Sequence, residues 1–487
     1  MKLLKKIPFF LLLLVLFFCL HGWLQNYGFI SFWEVLKPGL LILMAVLFAT
    51  GICFLIIKNL LYASLIVFFI SLWYLFFGAI HDWVKSIALL SAIKSYTVIS
   101  VLLLLFTIAW IIFLKYKKIL HPKLALYLNV LLLVYCTVDI FLLTKASLSR
   151  PGSPIAQTVK FDTTKVTQKP DVYFLLFDGY PGFTSLKDSF NYENDSLQQY
   201  FTNNAFKVLP VFANYDLTYF SMSSMFNMQY VKKDFNNLQV RQHDFQKRGV
   251  EIDHGVIFPI FRSIGYSIEN ISIFRIDDID PISDKNSFLL AHSILLTDKI
   301  FHKRLQRDVG LNKIFPFLGD DDFYQHDIDN KAAQELLLKL ALKKRDRPGF
   351  VYAHFMMPHG PYYYDSLGNN NAFEKISHYT KWPDKELFVS YIKYINKQII
   401  KMTDTIIRHN PGAIIIVMGD HGFRSYNSTQ TYQPLRYDNL CAVRFPDNNH
   451  DPGSKPWSNV NLFRYVFNRQ FAQNLPYLAD SSIELRY

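Results

Sequence analysis

The stretch that decides the fold is AIIIVMGDHG, from Ala413 to Gly422. Its continuous, β-branched apolar run is typical of a strand buried on both faces of a parallel sheet. Sheets of this kind bind ligands just beyond the carboxyl ends of their strands, and Asp420 and His421 stand at that position. A carboxylate beside an imidazole suits a transition metal. The stretch therefore predicts a central strand and a metal site; the alternative is a strand that ends in an ordinary turn.

Composition separates the chain into an apolar first part and a more polar remainder. The chain has 487 residues, 51% of them apolar, and nearly all the long apolar runs end before residue 145. The net charge is +12, but residues 1–150 hold 13 Lys and Arg against 3 Asp and Glu. Because the basic excess lies at the flanks of apolar runs and not in a groove for polyanions, we expect no nucleic acid partner.

Apolar runs in the first part predict a transmembrane domain of five helices (residues 1–145). Each run is close to the ~20 residues that a helix needs to cross a bilayer. The lysines before the first run resemble those of a signal peptide, but the later runs favour a retained helix. The predicted spans are 7–24, 38–57, 60–80, 95–114 and 123–144.

The distribution of lysine predicts the orientation of these spans. Most lysines fall in connections on one side, which should be cytoplasmic because cytoplasmic loops carry an excess of Lys and Arg. Five spans place the end of the chain on the other side. We therefore expect a multi-pass protein of the cytoplasmic (inner) membrane whose C-terminal part faces the periplasm or the cell exterior. Asp139, in the fifth run, is expected to be structural.

The part after the spans predicts a linker and one α/β domain. Residues 146–170 are rich in Ser, Thr, Pro and Lys, as linkers are. Residues 171–487 alternate apolar runs with helical patterns such as 330–345, which predicts a mostly parallel sheet flanked by helices. The predicted strands are 171–177, 206–212, 266–274, 349–354, 413–418 and 440–445.

Polar residues follow several of the predicted strands. Asp178 comes directly after the first strand. The hydroxyl-rich segment 214–227 is expected to open a helix, with Thr218 and Ser221 on one face. His354 and His359 lie at the end of the fourth strand. Each has an ordinary structural explanation when taken alone, such as a turn aspartate or a helix cap. Because parallel strands end at one edge of a sheet, we expect these residues to converge with the Asp-His pair.

Together these motifs resemble the alkaline phosphatase and sulfatase superfamily, over residues 171 to about 450. Within it the chain is similar to membrane-bound lipoteichoic acid synthases and lipid A phosphoethanolamine transferases, and to bacterial sulfatase-like membrane proteins. The transferase pattern Thr-x-x-Ser-x-x-x-Met-Phe is matched at 218–226, and His-x-x-x-x-His-Gly-Pro at 354–361. Asp-His-Gly is matched at 420–422, and the family's first acidic ligand falls on Asp178.

The resemblance implies an alkaline-phosphatase-like fold and an enzyme with one divalent metal, Zn²⁺ or Mn²⁺. The expected reaction transfers a phospho-alcohol, of phosphoethanolamine or phosphoglycerol type, from a membrane phospholipid donor to a cell-envelope glycan or lipid acceptor. Thr218 would be the catalytic nucleophile, because a metal can activate a hydroxyl group. The implied metal ligands are Asp178, Thr218, Asp420 and His421, and the implied substrate-binding residues are His354, His359 and Arg424.

Departures from the family narrow the expected chemistry. The Cys/Ser-x-Pro-x-Arg motif of sulfatases does not occur near Thr218, which disfavours true sulfatase activity, and no His lies between residues 422 and 449, which favours one metal. Two alternatives stay open at this point: a phosphodiesterase or sulfatase-like hydrolase with the same site, and a non-catalytic membrane assembly factor.

Two further motifs predict structure rather than chemistry. Asp253-His254-Gly255 repeats the metal tripeptide but follows a charged segment, so Asp253 is expected to cap a helix N-terminus. The acidic cluster Asp320–Asp322, with His326 and Asp327, lacks the spacing of an EF-hand and precedes a helical pattern. It is expected to be a solvated helix start.

Overall fold

The structure is a computed structural model. It describes residues 7–27, 30–87, 95–148, 159–231, 240, 242–282, 293–309, 321–376, 384–424, 433–447 and 457–486. The chain forms two compact units, one of Met1–Pro151 with Ser287–Asp322 and one of Gly152–Asn286 with Phe323–Tyr487. The segment Ser287–Asp322, which the sequence places in the α/β domain, therefore packs with the helical unit.

The first six helices, which belong to the helical unit, coincide with the predicted apolar runs. They are α1 (Phe9–Gln25), α2 (Phe32–Ile57), α3 (Leu60–Leu75), α4 (Phe77–Ser86), α5 (Tyr96–Tyr116) and α6 (His121–Leu148). Among the described residues, α2, α5 and α6 are long and apolar enough to cross a membrane. The pair α3–α4 makes a fourth span if it is counted as one despite its 56° bend. Helix α1 has 17 residues and is shorter than these, so the structure gives three or four candidate spans and does not confirm five.

The next helices are α7 (Phe183–Phe190), α8 (Asp195–Asn203), α9 (Thr218–Asn227), α10 (Gln242–Asp253) and α11 (Ile257–Ser263) of the α/β unit, then α12 (Ser293–Thr297) and α13 (Phe301–Val309) of the helical unit. The last helices return to the α/β unit: α14 (Asp321–Leu342), α15 (Phe373–Ile376), α16 (Lys385–His409), α17 (Gln433–Tyr437) and α18 (Leu462–Gln470). Its strands are β1 (Val172–Phe177), β2 (Lys207–Val208), β3 (Val211–Phe212), β4 (Ser267–Ile271), β5 (Gly349–Phe355), β6 (Ile414–Gly419), β7 (Asp438–Asn439), β8 (Cys441–Arg444) and β9 (Trp457–Ser458).

Two of the polar contacts within the helical unit join ionisable side chains of helices that are distant in the chain. Asp139 on α6 is buried and pairs with His21 on α1, with Oδ2 and Nδ1 3.3 Å apart. Arg304 on α13 is buried and donates two hydrogen bonds to the carboxylate of Asp82 on α4, at 3.2 and 2.7 Å. The second contact fixes α13 to α4, which explains why this late segment belongs to the helical unit.

The main sheet is mixed, in the order β2-β8-β6-β1-β5-β4. The four strands β6, β1, β5 and β4 are parallel, whereas β8 is antiparallel to β6. Leu440, just before β8, accepts a hydrogen bond from the N–H of Gly419 at the end of β6. The chain therefore leaves and re-enters the sheet at the same edge, so β8 is antiparallel to β6. A second sheet has the order β7-β3-β9.

Alternation along β1 builds a core on each face of the sheet. Val172, Phe174 and Leu176 point into one buried apolar cluster, and Tyr173 and Leu175 point into another. Side chains of successive strand residues face opposite sides, so a fully apolar strand needs cover on both. This confirms the interpretation of the apolar runs as buried strands.

Two predicted segments differ from the structure. The predicted strand 206–212 is split into β2 and β3, which join different sheets, because Pro210 has no N–H to donate to a ladder. The end of the predicted linker is packed and not free: Phe161 contacts the rings of Phe467 and Phe471. The N–H of Asp162 also donates to the side chain of Gln473.

Candidate active site

The register of the parallel strands brings three motifs to one edge of the sheet. Phe177, the last residue of β1, pairs with Phe355 on one side and with Gly419 on the other. The residues that follow these strands must therefore emerge together, and Asp178 and Asp420 do so. The N–H of Asp178 donates to the carbonyl of Phe355 at 2.9 Å, which continues the ladder by one residue.

Asp178, Asp420 and His421 form a buried cluster with the composition of a metal site. One oxygen or nitrogen atom from each lies within 4.8 Å of the others. Nε2 of His421 is 3.7 Å from Oδ1 of Asp178 and 3.4 Å from Oδ2 of Asp420. All three residues are at most 2% exposed. Two buried carboxylates repel each other unless a positive charge lies between them.

The hydrogen bonds around the cluster leave its donor atoms available for a cation. Oδ1 of Asp178 and Oδ2 of Asp420 are buried and accept no hydrogen bond from the described residues. Oδ1 of Asp420 is held by the N–H of Gly179 at 2.8 Å. Nδ1 of His421 donates to the carbonyl of Gly422 at 2.7 Å, so Nε2 carries the lone pair. The residues present therefore fit a divalent cation.

Thr218 brings a hydroxyl group to this cluster. Its Oγ1 lies 3.3 Å from Oδ2 of Asp178 and 3.3 Å from Nε2 of His421. Leu217 before it is extended and Thr218 is the first residue of α9, so the hydroxyl stands at the N-terminus of a helix. Backbone N–H groups at such an end favour an anion. The cluster therefore lies beside a hydroxyl group at the N-terminus of a helix.

Ser221 and Asn459 both donate hydrogen bonds to the backbone of the Asp420–His421 pair. The carbonyl of Asp420 accepts from Oγ of Ser221 at 2.7 Å and from Nδ2 of Asn459 at 2.8 Å. Ser221 was expected to share a helix face with Thr218, and its hydroxyl contacts the backbone of Asp420 from that face. Asn459, fully buried, was missed by the sequence analysis because no local pattern marks it.

His354 lies behind the cluster, against Asp178. Its Nε2 is 3.6 Å from Oδ2 of Asp178, and its Nδ1 is 2.8 Å from the hydroxyl of Tyr352. Burial raises the pKa of Tyr352 well above its usual value, so its hydroxyl stays protonated and can donate to Nδ1. Burial also acts to raise the pKa of Asp178, but the interaction with His354 and the charges of the nearby histidines outweigh it and lower the pKa.

His359 and Arg424 approach the same region from two other segments. His359 lies in what we call the His359 loop, residues 356–364, and its Nδ1 donates to the carbonyl of Gly360 at 2.8 Å. Burial lowers the pKa of His359; Asp178 opposes this effect, and the positive charge of Arg424 adds to it. The charge of Arg424 therefore acts on His359.

The two motifs interpreted as structural have different outcomes. Asp253 ends α10 instead of capping the start of a helix, and it accepts a hydrogen bond from the N–H of Asp278, so the predicted cap is wrong. The helix after the acidic cluster begins at Asp321 as predicted, but His326 is half-buried and Asp327 is buried, so these two residues are not a solvated helix start. Asp327 is buried and accepts from the hydroxyl of Tyr364 at 2.8 Å, and the ring of His326 faces that of His359.

Part of the chain matches the model of a known protein family. Residues 291–463 match the family model described as Sulfatase, and the matched part includes His354, His359, Asp420, His421 and Arg424. No curated protein sequence matches the chain.

Two solved structures illustrate the structural similarity, which is low. The C-terminal periplasmic domain of EcEptC from Escherichia coli is 11% identical, with a TM-score of 0.37, over 63% of this chain and 83% of that one. The phosphonate monoester hydrolase SpPMH from Silicibacter pomeroyi is 14% identical, with a TM-score of 0.39, over 64% of this chain and 75% of that one. Part of the chain, residues 291–463, is therefore similar to the Sulfatase family.

Proposed function

We propose that the protein is a metal-dependent membrane transferase. It moves a phospho-alcohol, of phosphoethanolamine or phosphoglycerol type, from a phospholipid to an outward-facing glycan or lipid acceptor of the cell envelope. The group is carried between the two as a phospho-threonine on Thr218. The observation that carries this proposal is the position of the Thr218 hydroxyl, 3.3 Å from both Asp178 and His421.

Asp178, Asp420, His421 and the hydroxyl of Thr218 would hold one divalent cation, for which Zn²⁺ and Mn²⁺ both suit the oxygen and nitrogen donors. When bound, the cation lowers the pKa of the hydroxyl and offsets negative charge on the phosphoryl group. The N–H groups at the start of α9 orient the phosphate oxygens. The guanidinium of Arg424 forms an ion pair with a phosphate oxygen.

The reaction has two balanced steps. Oγ1 of Thr218 gives up its proton and bonds to phosphorus, the bond from phosphorus to the lipid oxygen breaks, and that oxygen takes up a proton and leaves as diacylglycerol. The acceptor hydroxyl then gives up its proton and bonds to phosphorus, the bond to Thr218 breaks, and Oγ1 of Thr218 takes up a proton. His359 is the residue we assign to proton transfer, since its neutral ring has the hydrogen on Nδ1 and an accepting Nε2.

The lipid donor and the location are proposed from the apolar helices. A chain anchored in a membrane shares that membrane with phospholipids, which supports a phospholipid donor. An outward-facing site, with a cytoplasmic N-terminus, needs an odd number of spans. In this proposal α1 therefore crosses the membrane with α2, the α3–α4 pair, α5 and α6.

A hydrolase with the same site is the second candidate, favoured by the match to the Sulfatase family model. Water would then replace the acceptor in the second step. The two candidates share the phospho-threonine and differ in what leaves it. A purely structural role in assembly does not account for a hydroxyl aligned with two buried carboxylates and an imidazole.

The decisive experiment traps the intermediate. Full-length protein, reconstituted in vesicles of phosphatidylethanolamine and phosphatidylglycerol with Mn²⁺ or Zn²⁺, is quenched in acid and digested. Mass spectrometry of the peptide that holds Thr218 should show a phosphoethanolamine or phosphoglycerol adduct, and Thr218→Ala protein should not. Diacylglycerol without free phospho-alcohol supports transfer, whereas equal amounts of both support hydrolysis. An unmodified peptide together with lipid turnover contradicts the proposed nucleophile.

A further inference from the structure

Helix α14 forms a wall of the site that the sequence does not predict. Oδ1 of Asn330 accepts a hydrogen bond from the N–H of Met356 at 2.7 Å, and the carboxylate of Asp327 accepts from the hydroxyl of Tyr364 at 2.8 Å. Both acceptors are buried. Helix α14 therefore binds both ends of the His359 loop through hydrogen bonds.

His326 lies on the same face of α14, one turn before Asn330. Its ring centroid is 6.4 Å from that of His359, and the two ring planes meet at 84°. The charge of Asp178 also acts on the pKa of His326, so the imidazole is within electrostatic reach of a metal ligand. His326 therefore borders the reaction site and contacts the loop that carries His359.

The protonation of the two rings gives them different capabilities. Burial and, to a smaller extent, the charge of His359 lower the pKa of His326 to about 4, although Asp178 acts to raise it. Neutral His326 has one N–H donor and one acceptor. Neutral His359 has already given its hydrogen to Gly360 and presents an acceptor at Nε2. An N–H donor for a phosphate oxygen on this side of the site is therefore better supplied by His326.

We propose that His326 is a substrate-binding residue that donates a hydrogen bond to a non-bridging oxygen of the substrate phosphodiester. This inference rests on the proposed function, since it assigns a residue to the group that the site must recognise. The neighbouring Asp327 does not compete for this role, because its carboxylate binds Tyr364 and also Lys331, at 2.8 Å.

Inorganic phosphate is a direct probe of this role. Its affinity for the full-length protein in detergent, loaded with Mn²⁺, is measured by isothermal titration calorimetry. His326→Ala should weaken phosphate binding at least about tenfold, as expected for a lost hydrogen bond to a charged group. His326→Gln keeps an N–H donor and should recover most of the affinity. His409→Ala, at the exposed end of α16, is the matched control and should bind phosphate like wild type.

The outcomes separate this inference from the proposed function. Equal phosphate affinity of wild type and His326→Ala overturns the role of His326, even if an adduct forms on Thr218. A wild-type protein that does not bind phosphate also overturns it. Binding that depends on His326, without any adduct on Thr218, supports the binding role and contradicts the phospho-threonine mechanism. Melting temperature and bound Mn²⁺ of each variant show whether a loss of affinity comes from misfolding.

Discussion

Oγ1 of Thr218 lies 3.3 Å from Nε2 of His421, although 203 positions separate the two residues in the chain. Because the other ring nitrogen donates to the carbonyl of Gly422, the lone pair of Nε2 points toward the hydroxyl and the two carboxylates. The hydroxyl therefore shares its surroundings with all three acidic and imidazole side chains of the cluster. Its reactivity should depend on each of them.

Replacement of the nucleophile should abolish turnover without unfolding the protein. We expect Thr218→Ala to lower the rate at least about a thousandfold, because no other atom replaces the attacking oxygen. Thr218→Ser, which keeps the hydroxyl, is the control and should retain part of the activity. Diacylglycerol release from reconstituted vesicles measures the rate. Thr218→Ala protein with wild-type turnover would disprove the assignment.

Metal removal should destabilise the α/β unit as well as stop turnover. A cation that binds only the folded state adds about 2.7 kcal/mol at a concentration one hundred times its Kd. We expect a chelator to lower the melting temperature and added Mn²⁺ or Zn²⁺ to restore it. Asp420→Asn should bind little metal, as measured by elemental analysis, and its melting temperature should not respond to chelator. A chelator response in this variant equal to wild type would contradict the ligand assignment.

Loss of the hydrogen bond from Asn459 to the carbonyl of Asp420 should lower both the stability and the metal affinity of the protein. Asn459→Leu removes one of the two donors to the carbonyl of Asp420 and should cost about 1–3 kcal/mol of unfolding free energy. Metal affinity should fall about tenfold, as for other residues that orient ligands. Ser221→Ala removes the second donor and gives an independent measure. Wild-type metal affinity in both variants would show that this carbonyl does not position Asp420.

Close backbone packing at the end of β6 should make Gly419 intolerant of a side chain. A Cβ there would lie 2.5 Å from the carbonyl oxygen of Tyr180, whereas a Cβ on Gly412 meets nothing within 4 Å. We expect Gly419→Ala to lose about 1–3 kcal/mol of stability and to bind metal more weakly. Gly412→Ala is the matched control and should be neutral or slightly stabilising. Thermal melts that do not distinguish the two variants would be inconsistent with the close contact.

The contact of Arg304 with Asp82 should hold α13 on the helical unit. The side chain of Arg304 is 8% exposed and that of Asp82 is 49% exposed, so the cost of breaking the pair should be about 1–2 kcal/mol, less than for a fully buried pair. Arg304→Gln should lower the melting temperature in detergent and speed proteolysis of the segment 293–309. Asp82→Asn and the double variant complete a thermodynamic cycle. A zero coupling energy would mean that the pair contributes nothing to docking.

Local patterns were sufficient for much of the fold. The runs that form β1, β5 and β6 were predicted as buried strands, because a strand covered on both faces must be apolar along its whole length. Helix α9 also lies within the segment 214–227 that was expected to open a helix. The prediction for residues 206–212 was wrong because an apolar pattern does not show which sheet each half of a segment joins.

The direction of β8 and the position of Ser287–Asp322 depend on distant contacts. Strand β8 runs against β6 because the chain returns at the same edge of the sheet, and the late segment packs with helices more than 200 residues earlier. Neither the amino-acid composition nor the hydrophobic periodicity of either segment indicates these partners. The number of spans also could not be read from the sequence alone. Helix α1 is distinguished from the longer helices by its length, which is known only once its ends are known.

The sequence by itself determined which residue types are available for chemistry and that they follow strands: Asp178, Thr218 and the Asp420–His421 pair. Only the tertiary structure decided that they share one cluster, that Asn459 supports it, and that His326 faces His359. The physical reason is that a motif reflects its immediate neighbours in the chain, whereas a site depends on the strand register and helix packing that bring distant residues together.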